Sequence, residues 1–403
     1  MTAEPSVSLV VLNFNGRQHL ATLLPAIAAL DFPRGRLQVI VCDNGSSDGS
    51  ADFVRSHPEV ELVALDRNQG FAGGNNRGAA AASGEWIGFL NNDLRLEPNW
   101  LRDMLSTLDA HPDASAIASR IMSWDGSAVD FVGSGVNFQG HGYQIDFGRA
   151  GSDLERDDRR LLAPCGAAML VRRDLFQRLE GWDEDFFAYF EDVDLGWRLN
   201  LLGHDVWYNP RATAYHRLHA TTSRMRASRV RVLYERNALF VIYKCLDGAN
   251  LAAALPAALY LLNERALLHT GVDRDEFAVD RADAEDQRSW LRRKLSRLRH
   301  GQPLPPDQAV VPRLALSHWV GLSEFAHALD RMGGKRRWLQ DHRVRSDAEI
   351  LPLMVDPLRP QWDDPRYVRF YDWLIRTLEL DRRFAVSPRS SPRPAGSTGR
   401  PGK

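Results

Sequence analysis

Cysteine is scarce in this 403-residue chain: Cys42, Cys165 and Cys245 are the only three, with no Cys-x-x-Cys spacing. Neither a disulfide framework nor a zinc site is expected, and a reducing, cytoplasmic compartment is the default. Net charge is nearly absent, since 51 Lys and Arg oppose 52 Asp and Glu for a formal charge of −1. That balance excludes a protein clad in basic charge for general nucleic-acid binding. Long hydrophobic runs are also missing. The run Leu251 to Leu262 contains Pro256 and meets Asn263, Glu264 and Arg265, short of the roughly 20 residues that cross a bilayer. The start, Met1-Thr2-Ala3-Glu4-Pro5, carries no cationic stretch ahead of the short apolar run Val7 to Leu12, so neither a secretory leader nor a membrane span is expected. The segment from Arg67 to Gly78 lacks both the Gly-x-Gly-x-x-Gly order and a Gly-Lys-Ser/Thr ending, which disfavours a dinucleotide oxidoreductase and a P-loop enzyme.

What is present is enough apolar residue, 44% of the chain, to bury a large core, over a length that suggests two or three units at roughly 150 residues each. Ser8 to Leu12 reads as a buried strand, followed by the turn Asn13-Phe14-Asn15-Gly16 and a helical pattern through Leu20, Leu23, Leu24, Ile27 and Leu30. The same order repeats: strand Gln38 to Cys42, polar loop Asp43 to Ser50 and a helix; strand Val60 to Leu65, a Gly/Asn-rich loop and an Ala-rich helix to about Ala82; then strand Trp86 to Leu90 into Asn91-Asn92-Asp93. Alternation of this length predicts an α/β fold with a mostly parallel sheet between helices, and ligands then gather at the carboxyl ends of the strands. Gly126 to Gly151 reads as a loop or β-ribbon insertion, Ala163 to Val171 as another strand, and Asp192 to Leu202 as a helix closed by Gly203. Residues 1–245 are expected to form the α/β domain, 246–386 a helical domain and 387–403, rich in Ser, Pro, Arg and Gly, a disordered tail.

Candidate chemistry lies at the strand ends. Asp43 with Asn44, Ser46, Ser47 and Asp48 can bond a base or ribose, although helix capping explains much of the same loop. Glycines between Arg67 and Arg77, just before a helix, suit phosphates, with a flexible turn as the bland alternative. A strand-end carboxylate at Asp93 can reach a divalent ion such as Mg²⁺ or Mn²⁺, with His216 the best candidate for a second ligand; the alternatives are a turn and a satisfied core histidine. Glu191 and Asp192 open a helix in which Asp194 and Arg198 can pair. Trp182, Phe186, Phe187, Tyr189 and Phe190 precede it, interleaved with Asp183, Glu184 and Asp185, and either hold a sugar ring or belong to the core.

Five segments in order, Val10 to Gly16, Cys42 to Gly49, Asn68 to Asn75, Leu90 to Asp93 and Glu191 to Leu195, resemble the inverting family 2 glycosyltransferases of the GT-A fold, most of all their rhamnosyltransferase-like branch. The resemblance implies that Asp43 contacts the base, that Asp93 is the metal ligand of an aspartate-x-aspartate motif whose first position is here Asn91, that His216 completes the metal shell, and that Asp192 is the catalytic base, kept ionised by its helix N-terminus. Further nucleotide-sugar contacts are expected from Asn13, Asn15, Asn44, Arg67, Asn68, Gly73, Asn75, Arg77 and Asn92, and acceptor-side contacts from Trp182, Asp183 and Glu191. The implied partners are a nucleotide-sugar donor and a glycan or lipid-linked acceptor at a cell-surface polysaccharide precursor, and no nucleic acid. The implied transfer is of a sugar such as L-rhamnose from a dTDP donor, with a UDP-sugar such as galactofuranose, or a catalytically silent sugar-nucleotide scaffold, as alternatives.

In the C-terminal part, Leu291, Leu295 and Leu298 share a helical face ringed by basic residues, and Lys335-Arg336-Arg337-Trp338 could extend it. By its pattern such a helix is either solvated and packed by its leucines or rests on an anionic membrane; the resemblance, through lipid-linked acceptors at the inner membrane face, implies peripheral contact there.

Overall fold

The structure, a computed structural model, describes residues 6–151, 157–217, 225–272 and 311–386. Four strands, β1 (Val7–Asn13), β2 (Leu37–Asp43), β3 (Glu61–Ala64) and β4 (Trp86–Asn91), run parallel in the order β4-β1-β2-β3. Helices α1 (Arg17–Ala28), α2 (Ser50–Arg55) and α3 (Gly70–Ala80) connect them. The apolar run of β1 is buried on both faces, and α1 buries Leu20, Leu23, Leu24 and Ile27, the stripe its 3.6-residue period dictates.

One local expectation changes. The Gly/Asn-rich segment is not a loop ahead of α3 but its first two turns, because α3 begins at Gly70. A Cβ at Gly74 would lie 2.5 Å from Leu12 Cδ1, and one at Gly78 would lie 2.5 Å from Val10 Cγ1. Glycine at these positions therefore lets the helix lie directly on β1, and packing accounts for residues that as a string suggest phosphate binding.

Beyond β4 the sheet is mixed rather than parallel. The chain continues through β5 (Leu94–Leu96), α4 (Trp100–Ala110), β6 (Ala114–Ser123), β7 (Val129–Phe131), the hairpin β8 (Ser134–Val136) and β9 (Gly142–Gln144), and β10 (Arg159–Leu161). Then β11 (Ala168–Arg172) enters antiparallel between β4 and β6, and α5 (Arg173–Arg178), α6 (Glu191–Leu201) and β12 (Asp205–His216) follow. The reversal has a physical cause: β11 arrives from the β-ribbon instead of a helical crossover, so the chain is not carried back to the starting edge of the sheet. The full order is β10-β12-β6-β11-β4-β1-β2-β3, with β5 beside β12 and β7 beside β6.

The remaining elements are helical: α7 (Ala227–Cys245), α8 (Gly248–Thr270), α9 (Arg313–His327), α10 (Leu329–His342) and α11 (Pro365–Thr377). Their core joins Ala238, Leu239, Val241 and Ile242 of α7 to Ala257 and Leu261 of α8, Phe325 of α9 and Tyr367 of α11, and reaches back to Phe186 and Phe190 ahead of α6 and Trp197 on it. The apolar stretch of α8 is longer than the run read from sequence: its 23 residues are long and apolar enough, by length and composition alone, to cross a membrane. Within the fold its Ala254, Leu261, Glu264 and Arg265 are buried against neighbouring elements. The Leu291, Leu295 and Leu298 face lies outside the described residues, as does 387–403. Of the patch meant to extend it, Lys335 is paired with Asp183 and Asp185 and Arg336 donates to the Tyr243 and Leu246 carbonyls, so these two hold α10 in place.

Candidate active site

The registers Asn13↔Asp43 and Leu12↔Asn91 bring the ends of β1, β2 and β4 to one edge. A cleft of about 440 Å³ opens there, lined by Asn44, Asn68, Asn92, Glu191, Asp192 and His216 among the expected site residues. Phe187, Tyr189, Phe190, Tyr143 and Tyr234 make much of its wall.

On the side of the parallel strands the polar groups form a relay. Asn92 Nδ2 donates to Asn13 Oδ1 (2.7 Å), Asn13 Nδ2 donates to Asp43 Oδ1 (2.8 Å), and the Ser46 backbone N–H donates to Asp43 Oδ2 (3.2 Å). Asn15, at φ 50°, donates its N–H to Ser46 Oγ and accepts from the Ser47 N–H, both at 2.8 Å. Asn44 donates to Asn68 Oδ1 (3.1 Å) and the Gly70 carbonyl (2.9 Å) and accepts from the Gln69 N–H (2.8 Å). These side chains hold three strand-end loops in register before any ligand arrives, and Asp43 sits behind the cleft with both oxygens already accepting.

Other expected contacts point elsewhere. Arg77 leaves the cleft to pair with Glu184 at 3.1 Å, Arg67 is exposed, and Gly73 and Asn75 are buried within α3. The first N–H groups of α3 do not await a phosphate either, because Phe71 and Ala72 donate to the Phe187 carbonyl at 2.6 and 3.3 Å. Trp182 is core, edge-on to Phe71, Phe89 and Phe176. Asp183 is captured by Lys244 and Lys335, each at 2.5 Å, which hold its carboxyl far below the usual range against the opposing effect of burial. Of the three acceptor-side candidates, Glu191 alone lines the cleft.

At the cleft floor β5 pairs with β12 so that His216 lies opposite Leu94, next to Asp93. His216 Nε2 is 3.2 Å from Asp93 Oδ1, and Nδ1 is 2.6 Å from Asp130 Oδ2. Burial alone would lower the imidazole pKa, but the hydrogen bond to Asp130 and the neighbouring Asp93 carboxylate push it up to about 10. Asp130 was not among the expected residues; the signal available was a lone carboxylate between Val129 and Phe131 in an apolar three-residue strand. The pair fits a small divalent cation. Asp93 Oδ1 is buried and accepts no well-directed hydrogen bond, its 3.2 Å separation from Nε2 matches neighbouring ligands of an ion held at roughly 2.1 Å, and a carboxylate on the far ring nitrogen is the usual orienting partner of a ligating histidine. Among the described residues no group of three or more His, Cys, Asp or Glu converges on a metal-sized space, so further ligands would come from a substrate or water.

The first turn of α6 lines the same cleft. Asp192 Oδ2 accepts from the Gly166 N–H (3.2 Å) and Oδ1 from the Val193 N–H (2.8 Å). Burial raises its pKa, and these backbone donors oppose the shift without cancelling it. Desolvation thus makes Asp192 a stronger base than an exposed aspartate, which adds basicity to the availability expected from its place at a helix start. Glu191 is raised further, by burial and by the Asp192 charge, and its Oε2 is buried with no partner. Asp194 pairs with Arg198 at 2.8 Å as its spacing predicts.

A mixed sheet, parallel in one half, with flanking helices and polar loops at its strand ends is a fold of the GT-A kind. Residues 8–179 match the family model described as glycosyl transferase family 2, so the chain carries a family 2 glycosyltransferase domain. It is 27% identical over 257 residues to N-acetylglucosaminyl-diphospho-decaprenol L-rhamnosyltransferase of Mycobacterium tuberculosis, covering 58% of this chain and 83% of that protein. It is 34% identical over 129 residues to succinoglycan biosynthesis protein ExoO of Rhizobium meliloti, covering 31% of this chain and 36% of that one. Among solved structures, GalNAc-T7 with UDP, GalNAc and Mn²⁺ shares the fold, with a TM-score of 0.53 and 14% identity over 75% of this chain; the match spans 59% of the GalNAc-T7 chain.

Proposed function

We propose that this protein transfers a sugar, with inversion, from a nucleoside-diphosphate donor to a hydroxyl of a glycan or lipid-linked glycan, and that the sugar is L-rhamnose carried on dTDP. The observation that carries this reading is that His216, paired with Asp93, and the Asp192 carboxylate line one cleft. The mycobacterial rhamnosyltransferase, named for N-acetylglucosaminyl-diphospho-decaprenol, supports the sugar and the acceptor class, and that acceptor class favours action at the cytoplasmic membrane face. A UDP-sugar donor is the second reading, supported by the uridine nucleotide in the GalNAc-T7 structure.

Asn44, Asn68 and Asn92 line the donor side, where fixed polar groups orient the sugar nucleotide without reorganising. Asp93 and His216 would hold Mg²⁺ or Mn²⁺, which supplies positive charge to the departing diphosphate. In the same cleft Asp192 takes the proton of the acceptor hydroxyl as that oxygen attacks the anomeric carbon. Attack from the side opposite the leaving group inverts the configuration. The Phe187, Tyr189, Phe190 and Tyr234 wall keeps water from competing, and an acceptor hydroxyl can donate to the unpartnered Glu191 Oε2.

A thermal-shift screen of dTDP- and UDP-sugars with and without Mn²⁺ tests both readings. With dTDP-L-rhamnose at about a hundredfold over Kd, stabilisation of about 2.7 kcal/mol is expected, dependent on Mn²⁺ and lost in Asp93→Ala and His216→Ala. Stabilisation by a UDP-sugar instead transfers the assignment to that donor. Equal shifts in wild type and both variants would remove these residues from the metal site.

A further inference from the structure

Between α5 and α6 the chain makes a turn in which three residues other than glycine have left-handed backbone: Phe187 (φ 64°), Tyr189 (φ 72°) and Phe190 (φ 66°). Bulky side chains rarely adopt this conformation, and it persists only where the surroundings over-determine it. The turn has three duties at the cleft. Phe187, Tyr189 and Phe190 line it; the Phe187 carbonyl receives the first N–H groups of α3; and Phe190 is the residue from which α6 starts, one position before Glu191 and two before Asp192.

What over-determines the turn comes from the helical part of the chain. Asn237, on α7 and fully buried, donates through Nδ2 to three carbonyls of this segment, Phe186 (3.0 Å), Ala188 (2.8 Å) and Tyr189 (2.8 Å). An amide has two hydrogens, so at least one is shared; the three oxygens converge on a single nitrogen. Arg236 flanks it, donating through Nη2 to the Asp185 and Phe186 carbonyls (3.0 Å each) and through Nε to Asn237 Oδ1 (3.0 Å), which fixes the amide's orientation. Carbonyls buried without a donor are costly, so the left-handed turn and the asparagine require each other.

We infer that Asn237 is a positioning residue for sugar transfer: its amide holds the Phe187–Phe190 turn in the conformation that builds the cleft wall and delivers Asp192 to the acceptor. This rests on the glycosyl-transfer reading above and adds that a residue of α7, beyond the matched family segment, sets the geometry of the base. The donor side has its own posts in Asn13, Asn44 and Asn68, so it should be spared when the amide is removed.

The test uses the full chain, with the nucleotide sugar that the wild type selects in the thermal-shift panel. In Asn237→Ala, kcat for transfer should fall at least tenfold and acceptor KM should rise, while donor Kd stays within threefold. Asn237→Asp keeps the volume but turns oxygens toward the three carbonyls, and should lose at least as much; it also serves if the alanine variant folds poorly. Asn237→Gln, with the same donors on a longer arm, should recover part of the rate. The inference is overturned if alanine and aspartate variants keep kcat within twofold, or if donor affinity falls as far as kcat does, which would mark general loosening. A wild type that binds no nucleotide sugar overturns the glycosyl-transfer reading itself.

Discussion

Replacing Asp192 by Asn is expected to cut sugar transfer by about 10³-fold, the usual worth of a general base, while donor binding and thermal stability stay near wild type. The isosteric amide keeps one acceptor oxygen, so of the Gly166 and Val193 N–H bonds, which Asp192 accepts on separate oxygens at 3.2 and 2.8 Å, one survives; losing the other costs about 1 kcal/mol and leaves the first turn of α6 in place. What is lost is the site for the acceptor proton. Because burial raises the Asp192 pKa above the ordinary carboxylate value, the wild-type kcat should fall on its acid side at a pH above 3.8, and the variant should lack that limb. Steady-state rates from pH 4 to 9 with donor Kd measured in parallel check both; near-normal turnover with donor bound would remove Asp192 from the base role.

The largest expected loss of stability lies away from the cleft. Glu235 of α7 is fully buried and bonded bidentately to Arg265 of α8, Nε–Oε1 at 3.1 Å and Nη2–Oε2 at 2.6 Å. His318 of α9 adds a contact at 2.8 Å and His141, in the β8–β9 hairpin, one at 3.5 Å. Arg265 also donates to Gln139 and Tyr367. The cluster thus ties the hairpin that bears Tyr143 to four helices, α7, α8, α9 and α11. Glu235→Ala strands the buried guanidinium and should cost about 3–5 kcal/mol, whereas the double variant Glu235→Leu with Arg265→Met should recover much of it, since an apolar pair avoids the desolvation cost. Chemical denaturation midpoints measure both; a single variant within about 1 kcal/mol of wild type would contradict the account.

The same cluster predicts a pH dependence. Burial lowers the pKa of His141 and His318, against the pull of Glu235. The unfolded chain therefore binds protons below about pH 6.5 that the folded chain refuses, and stability should decline as pH falls below that value. Glu235, held well below its ordinary range chiefly by Arg265 against burial, extends the decline below 4.5, where its unfolded carboxylate takes up a proton that the folded one does not.

Much of the donor half of the cleft was legible because it is local. The apolar runs of β1, β2 and β4 are each followed by Asn, Asp or Gly within one or two residues, so their ends, and with them Asn44, Asn92 and Asp93, could be placed from spacing. Glu191 and Asp192 were legible because acidic pairs open helices. His216 was found as a single residue of the right chemistry, but its partner Asp130 was not: they are 86 positions apart and meet because β7 and β12 flank β6. Arg77 and Asp183 misled for a related reason. Charge announces a need for a partner without saying which, and Glu184 and Lys244 were nearer than any ligand.

By itself the sequence determined the alternation of strand and helix, the polar punctuation of the strand ends and the family to which the α/β part belongs, because each is written in residues close together along the chain. Only the tertiary structure decided which polar groups face the cleft and which serve as posts behind it. It turned the glycines of α3 from phosphate contacts into packing surface, raised the pKa of Asp192 through burial and placed an asparagine of α7 beneath a strained turn. Each of these depends on desolvation and on contacts between distant segments, and such quantities exist only once the chain has folded.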